Sequence, residues 1–208
     1  MKMVWKIFAF VLMLMSSFND RGFTEDMKIV TIGSPLQDVL KKKTEEIQEN
    51  ELWLAREISE KLLLALKPYL PAAGLAAPQI GISKSVFIFS FDRDPQNLEA
   101  VINPSFSPVG DTKIEGWEGC FSVMLKLTKI PRYETIQVTY LNLEGERIER
   151  ILEGFAAKVF QHEYDHLQGI ENIDREDAIV QSFDTEENML NFMEQVKQED
   201  SMRYKKPN

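Results

Sequence analysis

Gly154-Phe155-Ala156-Ala157-Lys158-Val159-Phe160-Gln161-His162-Glu163-Tyr164-Asp165-His166-Leu167 holds both histidines of this 208-residue chain. The spacing of Phe155, Val159 and Phe160 predicts a helix beginning after Gly154. Residues four apart on a helix share a face, so His162 and His166 can bind one ion together. Glu163 lies about a hundred degrees further round, where it flanks that ion. It is placed as a base toward water that the ion activates. Two histidines leave a tetrahedral site one protein ligand short, and Cys120, the only cysteine, is the candidate third. Three protein ligands and one open position make a catalytic centre, whereas four would make a structural one.

Outward from this helix the pattern changes period. Glu134 to Leu141 alternates around Ile136, Val138 and Tyr140, Asn142 to Gly145 is a turn, and Arg147 to Leu152 returns as a hairpin partner. Val86 to Phe91 reads as a strand buried on both faces, and Ala100 to Asn103 as a strand stopped by Pro104. Gly74 to Gly81 is rich in small residues and turn-like. Leu54, Ile58, Leu62 and Leu66 stripe a helix from Glu51 to Leu66, ended by Pro68 and Pro71. Ser34-Pro35 opens a shorter helix carrying Leu36, Val39 and Leu40. A final amphipathic helix spans Glu186 to Lys197. Helices, then strands, then helices indicate an α+β fold, and the length suits one domain.

Thirty-three acidic against twenty-four basic residues give a net charge of -9, which argues against a DNA-binding surface. One cysteine cannot form an internal disulfide, which fits a reducing compartment. Lys2 and Lys6 flank the apolar run from Ile7 to Met15, as in a secretory signal. That run is too short to span a bilayer, which needs about 20 apolar residues. No Ala-x-Ala site follows it, and Met27-Lys28-Ile29-Val30 looks like a second start. Residues 1–26 are therefore a signal or anchor, an upstream extension, or the product of a misassigned start; residues 27–208 are the catalytic domain.

Each motif has a plain alternative. His-Glu-x-x-His arises by chance, a lone cysteine is usually a small buried hydrophobe, and Gly74 to Gly81 could be only a turn. The argument rests on their combination. Gly74-Leu75-Ala76-Ala77-Pro78-Gln79-Ile80-Gly81, Glu118-Gly119-Cys120-Phe121-Ser122 and Gln161-His162-Glu163-Tyr164-Asp165-His166-Leu167 together resemble the three signatures of the peptide deformylases. The resemblance extends from Met27 to about Asp174. It implies mostly antiparallel sheets around a central metal-binding helix. It also implies removal of the formyl group from the N-terminal formylmethionine of new polypeptides. Fe(II) is then the natural ion, with Zn(II) or Ni(II) able to replace it. Cys120, His162 and His166 would be its ligands and Glu163 the general acid/base. Gln79 and the backbone N–H of Phe121 would donate to the formyl oxygen. Gly74, with Ala73 beside it, would let the peptide backbone approach closely.

The implied partners are formylated nascent peptides and the ribosome, with no DNA and no membrane, for a monomer in the cytoplasm. That compartment, and the sensitivity of thiolate-bound Fe(II) to oxidation, favour the extension or start-site readings of residues 1–26. The basic tail Arg203 to Lys206 is either a contact for ribosomal RNA or a solvated end. Departures from the family pattern are Ala72 for a glycine, Phe121 for a leucine, Met124-Leu125 where a proline turn is common, and Leu127 near a usual arginine. They put the pocket shape and rate in doubt, not the reaction. Asp165 is either a surface carboxylate or a partner of Arg132, and Trp117 either lines the pocket or packs in the core. Two rivals remain: a metallopeptidase, which a thiolate ligand fits poorly, and a non-catalytic formyl-peptide binder, which would be free to lose Glu163.

Overall fold

The computed structural model describes residues 28–92 and 94–203, with side chains as far as residue 196. The apolar stretch before Met27 and the side chains of the basic tail lie outside the described residues.

Helix α1 (Leu52–Leu66) forms where the apolar stripe predicts it and buries Ala55, Ile58, Leu62, Ala65 and Leu66. A 3-10 turn over Lys67–Tyr69, with Pro68 inside it, ends the helix. One antiparallel sheet joins β1 (Gly74–Ala76), β2 (Val86–Ser90), β3 (Leu98–Pro108), β6 (Thr135–Leu141) and β7 (Arg147–Glu153) in that order. A second joins β4 (Lys113–Cys120), β5 (Val123–Tyr133) and β8 (Ile179–Ser182), also antiparallel. Helix α2 (Gly154–Leu167) carries the histidines and packs against strands of both sheets. Helix α3 (Glu186–Arg203) closes the described chain.

Strand β2 shows how the core is divided. Its side chains alternate between the two faces of the sheet. Val86 and Ile88 pack with Ile58, Leu62 and Leu66 of α1. Phe87 and Phe89 pack with Ala157, Val159 and Phe160 of α2. The Phe160 ring meets Phe87 edge-on at 5.2 Å and Phe89 at 5.7 Å, which anchors α2 two residues before His162. Both faces of β2 are therefore covered, as its continuous apolar run requires.

Three local expectations are corrected. The segment after Ser34-Pro35 is only a 3-10 turn over Gln37–Lys41, starting from Leu36, and the Ser34 hydroxyl caps nothing. Five residues are too few to offset helix nucleation. The chain instead buries Leu40 and hands the Thr44 N–H to Leu167 O. Gly74–Ala76 is a buried strand rather than a turn, followed by a 3-10 helix over Ala77–Ile80 that Gly81 ends at φ 81°. Strand β3 does not stop at Pro104. A bulge between Ile102 and Ser105 places Asn103 at φ 48°, so Pro104 needs no place in the ladder. The Asn103 side chain holds the bulge, accepting from Ile47 N at 2.9 Å and donating to Ile47 O at 2.8 Å. The β4–β5–β8 sheet has no counterpart among the sequence expectations. Its buried positions mix Val123, Leu127 and Ile130 with Glu118, Thr128 and Arg132, so burial there follows no simple apolar alternation. Among the described residues no helix is long and apolar enough to cross a membrane.

Candidate active site

Strand β7 runs straight into α2. Gly154 makes the join at φ 56° and donates its N–H to Glu134 O at 2.8 Å. Gln161 then fastens the helix to the end of β5. Its amide donates to Tyr133 O and accepts from Tyr133 N, at 2.9 and 3.0 Å. One residue later His162 and, a turn on, His166 face the second sheet, their ring centroids 5.0 Å apart. Cys120 arrives at the end of β4, where the register shifts and Phe121–Ser122 turn the chain into β5. Its Sγ lies 3.4 Å from His166 Nε2. The ligand atoms of Cys120, His162 and His166 all fall within 4.8 Å of one another. The three candidate metal ligands are thus brought together.

Each imidazole rests on a carboxylate. His162 Nδ1 is 2.9 Å from Glu118 Oε2, and His166 Nδ1 is 3.0 Å from Glu171 Oε1. Holding Nδ1 this way leaves Nε2 for an ion. Arg132 grips Glu118 with two hydrogen bonds of 2.9 and 3.0 Å. Burial would raise the Glu118 pKa, but His162 and Arg132 outweigh it and hold the carboxyl well below the usual range. Arg132 also pairs with Asp165, which Arg175 reaches at 3.2 Å. Asp165 is therefore a buried ion-pair member, not a surface carboxylate.

The protons of this centre are arranged for exchange with a cation. Burial would raise the Cys120 thiol, but His166 and His162 bring it below its ordinary value. Burial would lower His162, but Cys120 and Glu118 raise it to about 10. A thiolate and two imidazoles backed by carboxylates suit a divalent ion such as Zn(II) or Fe(II). The donor set therefore fits the metal that the spacing implied.

Glu163 is buried, and burial pushes its carboxyl up despite the two imidazoles. Its Oε2 has no hydrogen-bond partner, and its Oε1 occupies the space beside Gly74. A Cβ on Gly74 would sit 2.6 Å from that oxygen, so the glycine makes room for the carboxylate. Gln79 is fixed at both ends of its amide. Its oxygen accepts from Ala76 N at 2.9 Å, and its nitrogen donates to Ser122 Oγ at 3.2 Å with Cys120 Sγ at 3.5 Å. The Phe121 ring packs on Tyr69 at 4.9 Å. Ala73 leads into β1, the outer strand of its sheet. Ala72 and Leu127 are core residues, Met124 is exposed, and Trp117 is half-buried edge-on to Phe192 at 5.0 Å.

Sequence reasoning passed over Glu118 and Glu171 as histidine partners. Glu118 lies in the cysteine motif itself, two residues before Cys120. Glu171 follows His166 by five residues across a turn, and no spacing rule points to it.

An α+β protein with a Cys/His/His centre and a buried carboxylate beside it falls in the class of mononuclear metallohydrolases. Residues 26–182 match the polypeptide deformylase family. The peptide deformylase of Thermotoga petrophila is 38% identical over 148 residues, covering 71% of this chain and 85% of that protein. Peptide deformylase 2 of Ralstonia nicotianae is 48% identical over 105 residues, and this chain spans only 59% of its length. The crystal structure of the Thermotoga maritima enzyme superposes with a TM-score of 0.63 at 37% identity, covering 72% of this chain and 96% of that one. The chain belongs to the polypeptide deformylase family, metal-dependent hydrolases that remove the N-formyl group from nascent polypeptides.

Proposed function

We propose that this chain hydrolyses the formamide of formylmethionyl peptides at the Cys120/His162/His166 centre, with Fe(II) resident and Zn(II) or Ni(II) able to replace it. The observation that carries this reading is Glu163, buried beside the imidazole pair with one carboxylate oxygen unpartnered. A buried, unsatisfied polar atom is costly unless a ligand completes it, and here the ligand is the attacking water.

When bound, the ion supplies Lewis-acid chemistry, lowering the pKa of water to about 7 and polarising the formyl oxygen. The remaining work falls to the chain. Glu163 takes a proton from the water as its oxygen attacks the formyl carbon, then delivers that proton to the departing amine nitrogen. The C–N bond breaks, releasing formate and a free N-terminal methionine. As negative charge develops on the formyl oxygen, the Gln79 amide N–H and the Phe121 backbone N–H receive it. One such donor is worth about 3–4 kcal/mol. Gln79 is pre-set for this, since Ala76 and Ser122 already fix its orientation. We place the peptide backbone along the outer edge of β1 at Ala73 and Gly74. The substrates are chains leaving the ribosome, and we assign the enzyme to the cytoplasm as a monomer.

Protein loaded with Fe(II) or Ni(II) is expected to release formate from formyl-Met-Ala-Ser, and Glu163→Ala is not. No formate from the loaded wild type refutes the proposal. Cleavage of unformylated peptides instead would make the protein a metallopeptidase.

A further inference from the structure

Both candidate ligand imidazoles rest on buried carboxylates, but the two are balanced differently. Glu118 shares its charge with the Arg132 fork. Glu171 is fully buried and, among the described residues, forms an ion pair with no lysine or arginine. Its Oε1 holds His166 Nδ1 at 3.0 Å, and its Oε2 lies 3.8 Å from Cys120 Sγ. The residue is held firmly. Its N–H donates to Asp174 Oδ2 at 3.1 Å, and the neighbouring Asn172 donates to Thr128 Oγ1 of β5 at 2.9 Å. The turn that brings it back begins at Gly169, φ 73°, where a Cβ would lie 2.8 Å from the backbone of Lys41 and Lys42. That close approach fixes the path of the turn leading to Glu171.

We infer that Glu171 is a positioning residue that fixes His166 with its proton on Nδ1 and its Nε2 free, and that its charge, which no lysine or arginine shares, strengthens the hold on a divalent ion. A buried carboxylate with no lysine or arginine beside it depends on its imidazole partner, and on what that imidazole binds, for positive charge. The imidazole passes that demand on to Nε2, making it a better donor. This rests on the ligand set proposed above.

The test uses the full-length protein loaded with Co(II), with the dissociation constant read by competition against a chelator. Glu171→Gln keeps an acceptor for Nδ1–H but removes the charge; Glu171→Leu removes both. Glu171→Gln is expected to bind Co(II) about 10-fold more weakly and Glu171→Leu up to about 100-fold, with shifted visible bands. The melting temperature of the metal-free Glu171→Gln protein should stay near wild type. Unchanged affinity and spectrum in both variants overturn the inference. A lowered metal-free melting temperature with unchanged affinity and spectrum also overturns it, by making Glu171 merely structural. A measurement on the Zn(II)-loaded wild type needs no variant: nitrogen-15 correlation spectra should show the His166 proton on Nδ1, and a proton on Nε2 overturns the inference. If wild-type Co(II) protein lacks a thiolate charge-transfer band, the ligand set itself fails, which distinguishes the two readings.

Discussion

Replacing Gly74 by alanine tests whether this glycine serves the base. The new methyl carbon would sit 2.6 Å from Glu163 Oε1 and 2.9 Å from Ile88 O. Real Cβ atoms essentially never lie closer than 3.0 Å to a neighbour, and ordinary contact starts at 3.4 Å. Ile88 O belongs to the backbone of β2 where it pairs with β1, so it cannot retreat without opening the sheet. Gly74 itself must therefore draw back from Ile88 O, and Glu163 must move as well, by about 0.8 Å to regain ordinary contact, the difference between 3.4 and 2.6 Å. Misplacing a reacting group by about 1 Å can cost about 100-fold in rate, or about 2.7 kcal/mol of barrier. Overpacking adds a stability loss of about 1–3 kcal/mol. Formate release by Ni(II)-loaded Gly74→Ala should show kcat down about 100-fold, with KM changed only a few-fold and metal content unaltered. A kcat within twofold of wild type would refute the argument that Glu163 is seated against Gly74. A raised KM with normal kcat would assign the glycine to close approach of the peptide backbone instead.

Other outcomes follow from the same geometry. Glu163→Gln should keep its metal and lose about 100- to 10,000-fold in kcat, and activity near wild type would remove Glu163 from proton transfer. Arg132→Leu leaves Glu118 and Asp165 buried without their shared cation. It should cost about 3–5 kcal/mol of stability in chemical denaturation, and a loss under 1 kcal/mol would show that water reaches the pair. His162 is raised to about 10 in the metal-free protein, so at neutral pH an incoming ion must expel its proton. Metal affinity should therefore rise with pH up to that value, and calorimetry in two buffers of different ionisation enthalpy should detect proton release. No release would mean the imidazole was already neutral. Asn103→Val should destabilise by about 2 kcal/mol, because it loses two side-chain hydrogen bonds and puts a β-branched residue at positive φ. An unchanged melting temperature would show that the bulge does not depend on Asn103.

Elements with one strong period were legible without coordinates. Helix α1 buries Ile58, Leu62 and Leu66 of its expected stripe, and β2 carries its apolar run into two separate cores. The hairpin β6–β7 pairs Ile136 with Leu152 and Tyr140 with Ile148 around the expected turn. The second sheet was illegible because its buried positions mix apolar Val123, Leu127 and Ile130 with an ion pair. Glu118 and Arg132 point inward and meet across the β4–β5 pair, which polarity alone assigns to the surface. Pro104 misled for a related reason: a bulge held by Asn103 relieved it of the ladder.

The sequence by itself determined the donor inventory. Two histidines one helical turn apart, one cysteine and one glutamate beside the first histidine follow from helix period and residue chemistry, which are local. Only the tertiary structure decided what backs those donors. Glu118 lies 44 residues from His162 in the chain, and Glu171 reaches His166 across a turn closed by Gly169. The space over Gly74 is filled by Glu163, 89 positions later (163 − 74). Those pairings depend on where the sheets and α2 come to rest. Burial there removes the water that would otherwise satisfy Glu118 and Glu171, so each must find its partner in the fold, while Glu163 keeps one oxygen unpartnered.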